Sequence, residues 1–563
     1  MICRIKLVFE LKNTMGSSCG DCPKNYTDCF KEKCLIADGI QRKLLTANGQ
    51  FPGPLIQVCK NDILVVDVVN RVLGSGAAVH WRGQAQRETP YMDGVAMVTQ
   101  CAIPTFTTFQ YKFRASEVGT HLWQVHTGNE QLDGLYGALV VRQPATKDPH
   151  NDLFDLDEHI ILINELPQLS YKNKHASLLI NGRGPIQKND VPPLTLNVKL
   201  NKRHRFRIAY SGGVNGCPIT VSIDRHMMLI IAIDGNPIKP NKIKLLKMAP
   251  GERVDIVLTA DQIPGKYILK TLSGEGCPVF EEGSAIIKYT SDYLLEFDKT
   301  KAIKNTENNY QEGMSTVAEG FCSNKKQKSH ICLPKIESLN ELPVDLAVNK
   351  MDLTLYLFFD YVIDNSTSSG RPYIPRINNL TFIFPPSPLL TQRSDIEDGL
   401  LCNSNSRPGH CAANLSVCEC VHVINIPLHS TVEIVLIDRG NDQQSEHVFH
   451  LHGHKFYVVG TNYKLIYTNE NDIKTLDHNK QLLSRNLKNP IIKDTVSVPP
   501  QGVVAFRFHA NNPGYWLLQD QKASEWSKGL DVLLHVGSAS SLPHIPDNFP
   551  RCGSWVGPEF FLI

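Results

Sequence analysis

Several features that would assign the chain to a common functional class are missing from its 563 residues. No run of about 18 apolar residues occurs, so no transmembrane helix is expected. The formal net charge is only +2, which argues against a protein that binds nucleic acid or another polyanion. No GxSxG, P-loop or GxGxxG motif occurs in a strand–turn–helix context that would give it a function. The chemistry must therefore be sought in less familiar patterns.

A secretory signal peptide is also missing. The first residues, MICRIKLVFELKN, have charges that interrupt the apolar run, and no small-residue cleavage site follows. They alternate between apolar and polar side chains, as a β-strand does. We expect either an incomplete N-terminus or a mature form with an added methionine.

Cysteine is abundant, with 16 residues, and indicates an oxidising compartment. Eight of the cysteines form two clusters, one near the start of the chain and one late in it. A zinc site is one interpretation of these clusters, but paired CxxC spacings are absent, so disulfides are favoured. Four N-x-[ST] glycosylation candidates agree with an extracellular, secreted protein with an unknown extracellular partner. The clustered cysteines are Cys19, Cys22, Cys29, Cys34, Cys402, Cys411, Cys418 and Cys420, and the sequons begin at Asn25, Asn365, Asn379 and Asn414.

An internal repeat organises the chain. TTFQYKFRASEVGTHLW, ERVDIVLTADQIPGKYIL and GVVAFRFHANNPGYWLL each contain an alternating strand, an alanine, a short turn, a glycine and a second strand. Alternation with a period of two residues predicts strands with one buried face, and helical periodicity is scarce. We predict an all-β protein with a Cys-rich extension (1–34), three Greek-key β-sandwich domains (35–150, 151–295 and 345–563) and a linker or excursion (296–344).

Polar residues two apart recur at strand positions, where side chains at i and i+2 share one face. VHWRG holds His80 and Arg82, and WQVHTG holds Gln124 and His126. EHVFHLHGHKF adds a dense histidine cluster between His447 and His454. Imidazole suits copper, zinc and iron, so these segments are candidates for one metal centre.

The chain resembles the multicopper oxidases, most closely the laccase-like proteins of insects and the insect multicopper oxidase-related proteins that lack most copper ligands. The resemblance covers nearly the whole sequence and implies three cupredoxin-like domains and four copper-binding segments that oxidise phenols or metal ions and reduce dioxygen to water. It is carried by ADGIQRKLLTANGQFPGPLIQVCKND, HWRGQAQRETPYMDGVAMVTQC, GTHLWQVHTG, APGERVDIVLTADQ, PPSPLLTQ, HVFHLHGHKFYVVG, NPGYWLL and FPRCGSW.

The resemblance implies that five of eleven copper ligands remain. His447 matches a type 1 ligand, His80 and His450 match type 2 ligands, and His126 and His452 match type 3 ligands. Six ligand positions carry another residue: Arg82, Gln124, Gln519, Asp520, Gln521 and Glu525, with Leu530 at the axial position. The resemblance also implies a Cys101–Cys552 disulfide, and Cys217 with Cys277 is a further candidate pair.

The replacements change the expected chemistry. A blue copper site needs a soft thiolate, which a carboxylate at Asp520 cannot reproduce. Arg82 stays protonated, and we predict that it fills the vacated metal volume against Gln124, Gln519 or Gln521; the alternative is that it points to solvent. His447, Asp520 and Glu525 are expected to converge as a hydrogen-bonded triad or a site for zinc, manganese or calcium.

Three functions remain open at this point. The favoured one is a catalytically inactive relative that acts by binding or as a structural element, with no cofactor or at most one residual copper or zinc ion. The second is a laccase-like oxidoreductase with a reduced or altered metal set. The third is a carrier of a small molecule or a metal that uses the old substrate pocket near His447.

Overall fold

The computed structural model of the chain confirms the all-β prediction. Besides the strands, it contains one α-helix, α1 (Glu470–His478), among the residues it describes. No helix in those ranges has the length and apolar character needed to cross a membrane. The described residues are 1–128, 133–167, 176–186, 190–274, 277, 279–290, 317–319, 330–332, 335–363, 373–403, 405–409, 411, 417–440, 446–463, 465, 469–521 and 529–553. Short 3-10 turns occur at Ser17–Cys19, Tyr26–Phe30, Pro90–Met92, Ala145–Lys147, Asn151–Leu153, Arg393–Asp395, Asp398–Leu400 and Ala539–Ser541.

The first sandwich has two four-stranded sheets. Its strands are β1 (Ile2–Asn13), β2 (Lys43–Ala47), β3 (Ile56–Cys59), β4 (Ile63–Asn70), β5 (Val79–Arg82), β6 (Thr108–Arg114), β7 (Gly119–Val125) and β8 (Tyr136–Arg142). The sheet orders are β2-β1-β4-β6 and β3-β8-β7-β5. The alternating N-terminal residues form β1, which pairs in parallel with β4 and therefore belongs to this sandwich.

The second sandwich has a six-stranded and a seven-stranded sheet, with orders β10-β9-β12-β17-β14-β15 and β11-β19-β18-β13-β16-β20-β21. The last two strands lie within 296–344, the segment predicted as a linker. The strands are β9 (Leu156–Pro167), β10 (Ala176–Ile180), β11 (Thr195–Lys199), β12 (Arg203–Gly213), β13 (Ile219–Ile223), β14 (Met228–Ile233), β15 (Asn236–Ile243), β16 (Leu245–Met248), β17 (Arg253–Thr259), β18 (Lys266–Ser273), β19 (Glu282–Thr290), β20 (Val317–Glu319) and β21 (His330–Cys332).

The third sandwich has sheets of order β23-β22-β27-β32-β29-β30 and β24-β26-β34-β33-β28-β31, and β25 pairs with β26. Its strands are β22 (Leu353–Ile363), β23 (Tyr373–Ile377), β24 (Thr381–Phe382), β25 (Leu401–Cys402), β26 (Glu419–Ile426), β27 (Thr431–Asp438), β28 (His447–Leu451), β29 (Phe456–Asn462), β30 (Ile492–Lys493), β31 (Thr495–Val498), β32 (Val503–His509), β33 (Gly514–Asp520) and β34 (Asp531–Val536).

The repeated segment is an arch between sheets in all three sandwiches. β6 and β7, β17 and β18, and β32 and β33 each leave one sheet and enter the facing sheet, so the turn does not close a hairpin. The first strand shows why: Phe109, Tyr111 and Phe113 are buried while the residues between them are exposed, so one face covers the core. The repeat alanines Ala115 and Ala260 are fully buried where the chain crosses.

Disulfides join the cysteines of both clusters, which decides against zinc there. The bridges are Cys19–Cys34, Cys22–Cys29, Cys101–Cys552, Cys217–Cys277, Cys402–Cys420 and Cys411–Cys418. Cys3 and Cys59 are free thiols. Cys101–Cys552 spans 451 residues and ties the first sandwich to the C-terminal segment.

Two of the four glycosylation candidates lie among the described residues. Asn25 is exposed and caps a 3-10 turn through its side-chain oxygen, which accepts from the Thr27 amide. Asn379 is half-buried. Asn365 and Asn414 lie outside the described residues. Glycosylation at these positions remains a prediction.

A buried ion cluster joins the second and third sandwiches. The Arg253 guanidinium donates to Asp494 at 2.8 Å and lies 3.4 Å from Asp234. Lys493 lies 3.0 Å from Asp234 and 2.9 Å from Glu252. Burial alone would lower the pKa of Arg253, but Asp494 and Asp234 raise it above its ordinary value. Because these charges are removed from water, each depends on its partners for its stability.

Replacing Arg253 with methionine is expected to destabilise the protein by about 3–5 kcal/mol, because two buried carboxylates lose their partner. Lys270→Met is the matched control: its pair with Glu282 is exposed, and its loss should cost less than about 1 kcal/mol. Urea denaturation followed by tryptophan fluorescence and circular dichroism measures both. Equal losses in the two variants would contradict a dominant role for the buried cluster.

Candidate metal centre

The first and third sandwiches face each other through β5 and β7 on one side and β28 and β33 on the other. In β5, His80 and Arg82 share the face toward the third sandwich. Trp81 takes the opposite face and packs against Tyr111 and Phe113 in the core. In the third sandwich His450 pairs across the sheet with Gln519. Strand geometry thus delivers polar side chains from four strands to one interface.

Four of the five predicted histidines meet at this interface. The Nε2 atoms of His80 and His450 lie 3.2 Å apart, and the rings of His80 and His452 have centroids 3.9 Å apart. Nitrogen atoms of His80, His450 and His452 all lie within 4.8 Å of one another, a spacing that can hold a metal ion. The His126 ring lies 5.3 Å from that of His452, and its Nε2 donates to the Gln519 side-chain oxygen at 2.7 Å.

The Nδ1 atoms of His80, His450 and His452 all form hydrogen bonds. His80 donates to the Asp93 carbonyl at 2.9 Å, His452 to the Asp93 carboxylate at 2.8 Å, and His450 to the Asp494 carbonyl at 2.9 Å. These bonds place each proton on Nδ1 and leave each Nε2 with its lone pair directed inward. The Nε2 of His452 is buried with no hydrogen-bond partner.

The imidazoles of His126, His450 and His452 are kept neutral by their surroundings. Burial, with smaller contributions from neighbouring cations and imidazoles, lowers the pKa of His126 to about 4 and that of His450 to about 3. The pKa of His452 is also lowered, chiefly by burial. Neutral imidazole is the form that ligates metals.

Arg82 is buried beside the histidines and does not point to solvent. Its side chain donates to the Gln521 side-chain oxygen and, at 3.1 Å, to the Thr495 hydroxyl. Of the three predicted glutamine partners, Gln521 is the one for which a bond is present, whereas Gln519 is bonded to His126. Burial lowers the pKa of Arg82 to about 10, so it remains a cation at neutral pH.

His447 lies apart from the other four histidines, in a pair with Asp520. Its Nδ1 donates to Asp520 at 2.8 Å, and the second carboxylate oxygen accepts from the Val448 amide at 3.2 Å. Behind the pair, burial and the charge of Asp520 raise the pKa of Asp531 well above its usual value. Glu525, the predicted third member, lies outside the described residues. Leu530, at the predicted axial position, is fully buried.

Sequence reasoning missed the groups that orient the ligands. Asp93 lies 13 residues after His80 in the segment HWRGQAQRETPYMDGVAMVTQC, Asp494 follows Lys493, and neither stands two residues from a predicted ligand. Both are buried, and both act on histidines far away in the chain. An acidic residue at the end of a motif rich in turn residues was the available signal for Asp93.

The three sandwiches and the histidine cluster between the first and third define a cupredoxin-like protein with an interdomain metal centre. Sequence models of the multicopper oxidases match residues 29–146, 151–291 and 392–529. Laccase-4 of Trametes villosa is 30% identical over 85% of this chain and 83% of its own length. L-ascorbate oxidase of Cucumis sativus is 26% identical over 92% and 89%. The chain belongs to the multicopper oxidase family.

Solved structures agree with the fold. The laccase of Botrytis aclada covers 97% of this chain and 89% of its own, with a TM-score of 0.71 and 22% sequence identity. This likeness confirms the prediction of three cupredoxin-like domains.

Two predictions from the sequence are corrected by these findings. The prediction of a catalytically inactive protein is wrong, and so is that of no cofactor or at most one residual metal ion, because the matched family binds several coppers and its relatives over most of the chain are oxidases. The physical reason for the error is that replaced positions were counted one by one. Three of the retained histidines form a closely spaced set with inward lone pairs, which a count of replacements does not reveal.

Buried neutral histidines predict a loss of stability in acid. His126, His422 and His450 have pKa values of about 4, 4 and 3 in the folded chain, against about 6.5 when unfolded. The unfolded state therefore binds more protons between these values. Each histidine removes on the order of 1 kcal/mol per pH unit as the pH falls from 6.5 toward 4.

Urea denaturation of metal-free protein at several pH values between these limits measures the slope. His422→Gln is the matched variant, because His422 is buried on β26 and is not a member of the cluster, so its removal should lower the proton uptake on unfolding by one. Stability that does not change with pH would contradict the neutral state of these side chains.

Proposed function

We propose that the chain is a laccase-like, copper-dependent oxidoreductase whose metal set is altered from the family pattern. The proposal is supported by the closely spaced ring nitrogens of His80, His450 and His452, with the Nε2 atoms of His80 and His450 only 3.2 Å apart. With protons on Nδ1, the facing Nε2 lone pairs of His80 and His450 repel each other at 3.2 Å unless a cation or proton lies near them. A copper ion removes that repulsion and also satisfies His452 Nε2, which is otherwise buried without a partner.

The residues around these ligands support copper binding in a second way. Asp93 accepts from His452 Nδ1 and lies 3.3 Å from His80 Nδ1, so one buried carboxylate orients two imidazoles. Such outer partners fix ring orientation and increase the basicity of the ligand nitrogen. A small cleft lined by His80, His450, His454 and Lys455 adjoins the cluster.

The position of the family thiolate fits copper poorly. Asp520 is a hard oxygen donor, and its carboxylate is already engaged by His447 and the Val448 amide. We therefore propose that the copper set differs from the family pattern at Asp520 and at Arg82. The same holds for the three glutamines Gln124, Gln519 and Gln521. Arg82 adds a permanent positive charge beside His450, which would stabilise negative charge that develops in the cleft.

Bound copper would supply one-electron exchange between a reductant and dioxygen. The chain's own residues would hold it and exclude bulk water. Because the relatives are named laccase and L-ascorbate oxidase, the proposed reductants are phenols or enediols. The disulfides support a secreted protein in an oxidising compartment.

Metal-stripped protein reloaded with Cu²⁺ is expected to retain copper after dialysis and to consume dioxygen with a diphenol or ascorbate. His450→Gln should weaken copper binding by at least about tenfold and lose most activity, because one of three ligands is removed. His535→Gln is the control and should keep both copper binding and activity. His535 is half-buried and hydrogen-bonded to Asn425. Copper analysis and oxygen-electrode assays supply the data. Wild-type protein without copper and without oxygen consumption would refute the proposed function.

The copper-loaded protein is expected to lack the intense blue absorption of a thiolate–copper site, since Asp520 replaces the family cysteine. Asp520→Cys should introduce that band by placing a thiolate beside His447, which Asp520 now contacts. Visible absorption and electron paramagnetic resonance spectra distinguish the two proteins, with Asp520→Asn as the control that removes charge without adding sulfur. An intense blue band in the wild type would overturn the assignment of Asp520.

A further inference from the structure

Two neighbouring loops at one end of the first sandwich present large apolar side chains to solvent. Residues 71–76 follow β4, and residues 103–107 precede β6. Leu73 in the first loop is 76% exposed, and Phe106 in the second is 73% exposed. We call the two loops together the apolar tip. Neither side chain contributes much to the core, so the tip needs another explanation.

Hydrogen bonds hold the two loops of the apolar tip together. The side-chain amide of Asn70, which is fully buried, donates to the Ser75 carbonyl at 2.8 Å and to the Ile103 carbonyl at 2.9 Å. The backbone amide of Phe106 donates to the Asn70 carbonyl at 2.7 Å. One buried asparagine therefore organises both loops, and the exposed side chains are presented without the ordering cost that a flexible loop has on binding.

The backbone of Phe106 has a conformation that aromatic residues rarely adopt. Its φ of 61° lies in the left-handed region, which favours glycine and asparagine. Burial of the ring does not offset this strain, since most of the ring remains in water. Neither the backbone nor the side chain of this residue thus stabilises the fold. Strain of this kind at an exposed position favours a role in binding.

We propose that the apolar tip inserts into a lipid surface that carries negative charge. Two side chains offer too little area for a specific protein interface, which buries about 800 Å² on each partner. Insertion of Leu73 and Phe106 among acyl chains removes both from water and suffices for reversible anchoring. Neither loop contains an acidic residue, and the exposed Arg71 supplies a cation at the depth of the lipid headgroups.

Co-sedimentation of the full-length protein with vesicles of equal parts phosphatidylcholine and phosphatidylglycerol tests the proposal. Leu73→Ser/Phe106→Asn should bind these vesicles at least about tenfold more weakly than wild type, because two apolar side chains no longer leave water. Phe280→Ser is the matched control. Phe280 is 70% exposed in the second sandwich but is followed by Glu281 and Glu282, so its loss should not change binding.

The charge of the tip is tested separately. Arg71→Gln should reduce the preference for these vesicles over pure phosphatidylcholine by about fivefold. Phe106→Trp reports the depth of insertion: its fluorescence should be quenched by lipids with brominated acyl chains. The three largest indoles, those of Trp81, Trp123 and Trp516, are fully buried and should not respond.

Loss of folding is excluded by urea denaturation. Asparagine tolerates the left-handed backbone at position 106, so the double variant should unfold at the same urea concentration as wild type or a higher one. Equal sedimentation of wild type and double variant would overturn the proposal. A dimer in solution that the double variant abolishes, without vesicle binding by wild type, would also overturn it and assign the tip to a second copy of the chain.

Discussion

The hydrogen bonds from the histidine Nδ1 atoms to Asp93 and Asp494 are the constraint on which the metal centre depends. They decide which nitrogen carries the proton, and so which nitrogen faces the cavity. Asp494 also receives Arg253 of the second sandwich, so the group that orients a ligand is held by an interdomain ion pair. Ligand geometry and domain packing are therefore determined by the same few buried groups.

This coupling holds the histidine cluster in place, and a shared apolar core adds to it. The cluster draws its ligands from β5 and β28, which belong to two sandwiches that share one hydrophobic core. Leu517 and Leu533 of the third sandwich pack in the same cluster as Phe9 and Trp81 of the first. Burial of apolar side chains therefore contributes to the cohesion of the interface alongside the polar contacts of the cluster.

Much of the fold could be predicted from the sequence because it is local. Alternation along Thr108–Arg114 is visible in seven letters, and the repeat gives three copies of it. The arches could not be predicted, because the sequence of a turn looks the same whether its two strands pair within one sheet or lie in two facing sheets. The orientation of Arg82 escaped prediction for a related reason: its partners Thr495 and Gln521 lie more than 400 residues away. The histidines were found because they lie two residues apart on strands, whereas Asp93 had no such pattern.

The burial of Arg82 against Gln521 has a consequence for the history of the site. A histidine at position 82 alone would leave the Gln521 oxygen and the Thr495 hydroxyl facing a shorter side chain, and a histidine at position 521 alone would meet a buried guanidinium. Each change is unfavourable in the absence of the other. The two positions are thus energetically coupled, and a sequence that changes both of them one at a time passes through a less favourable intermediate.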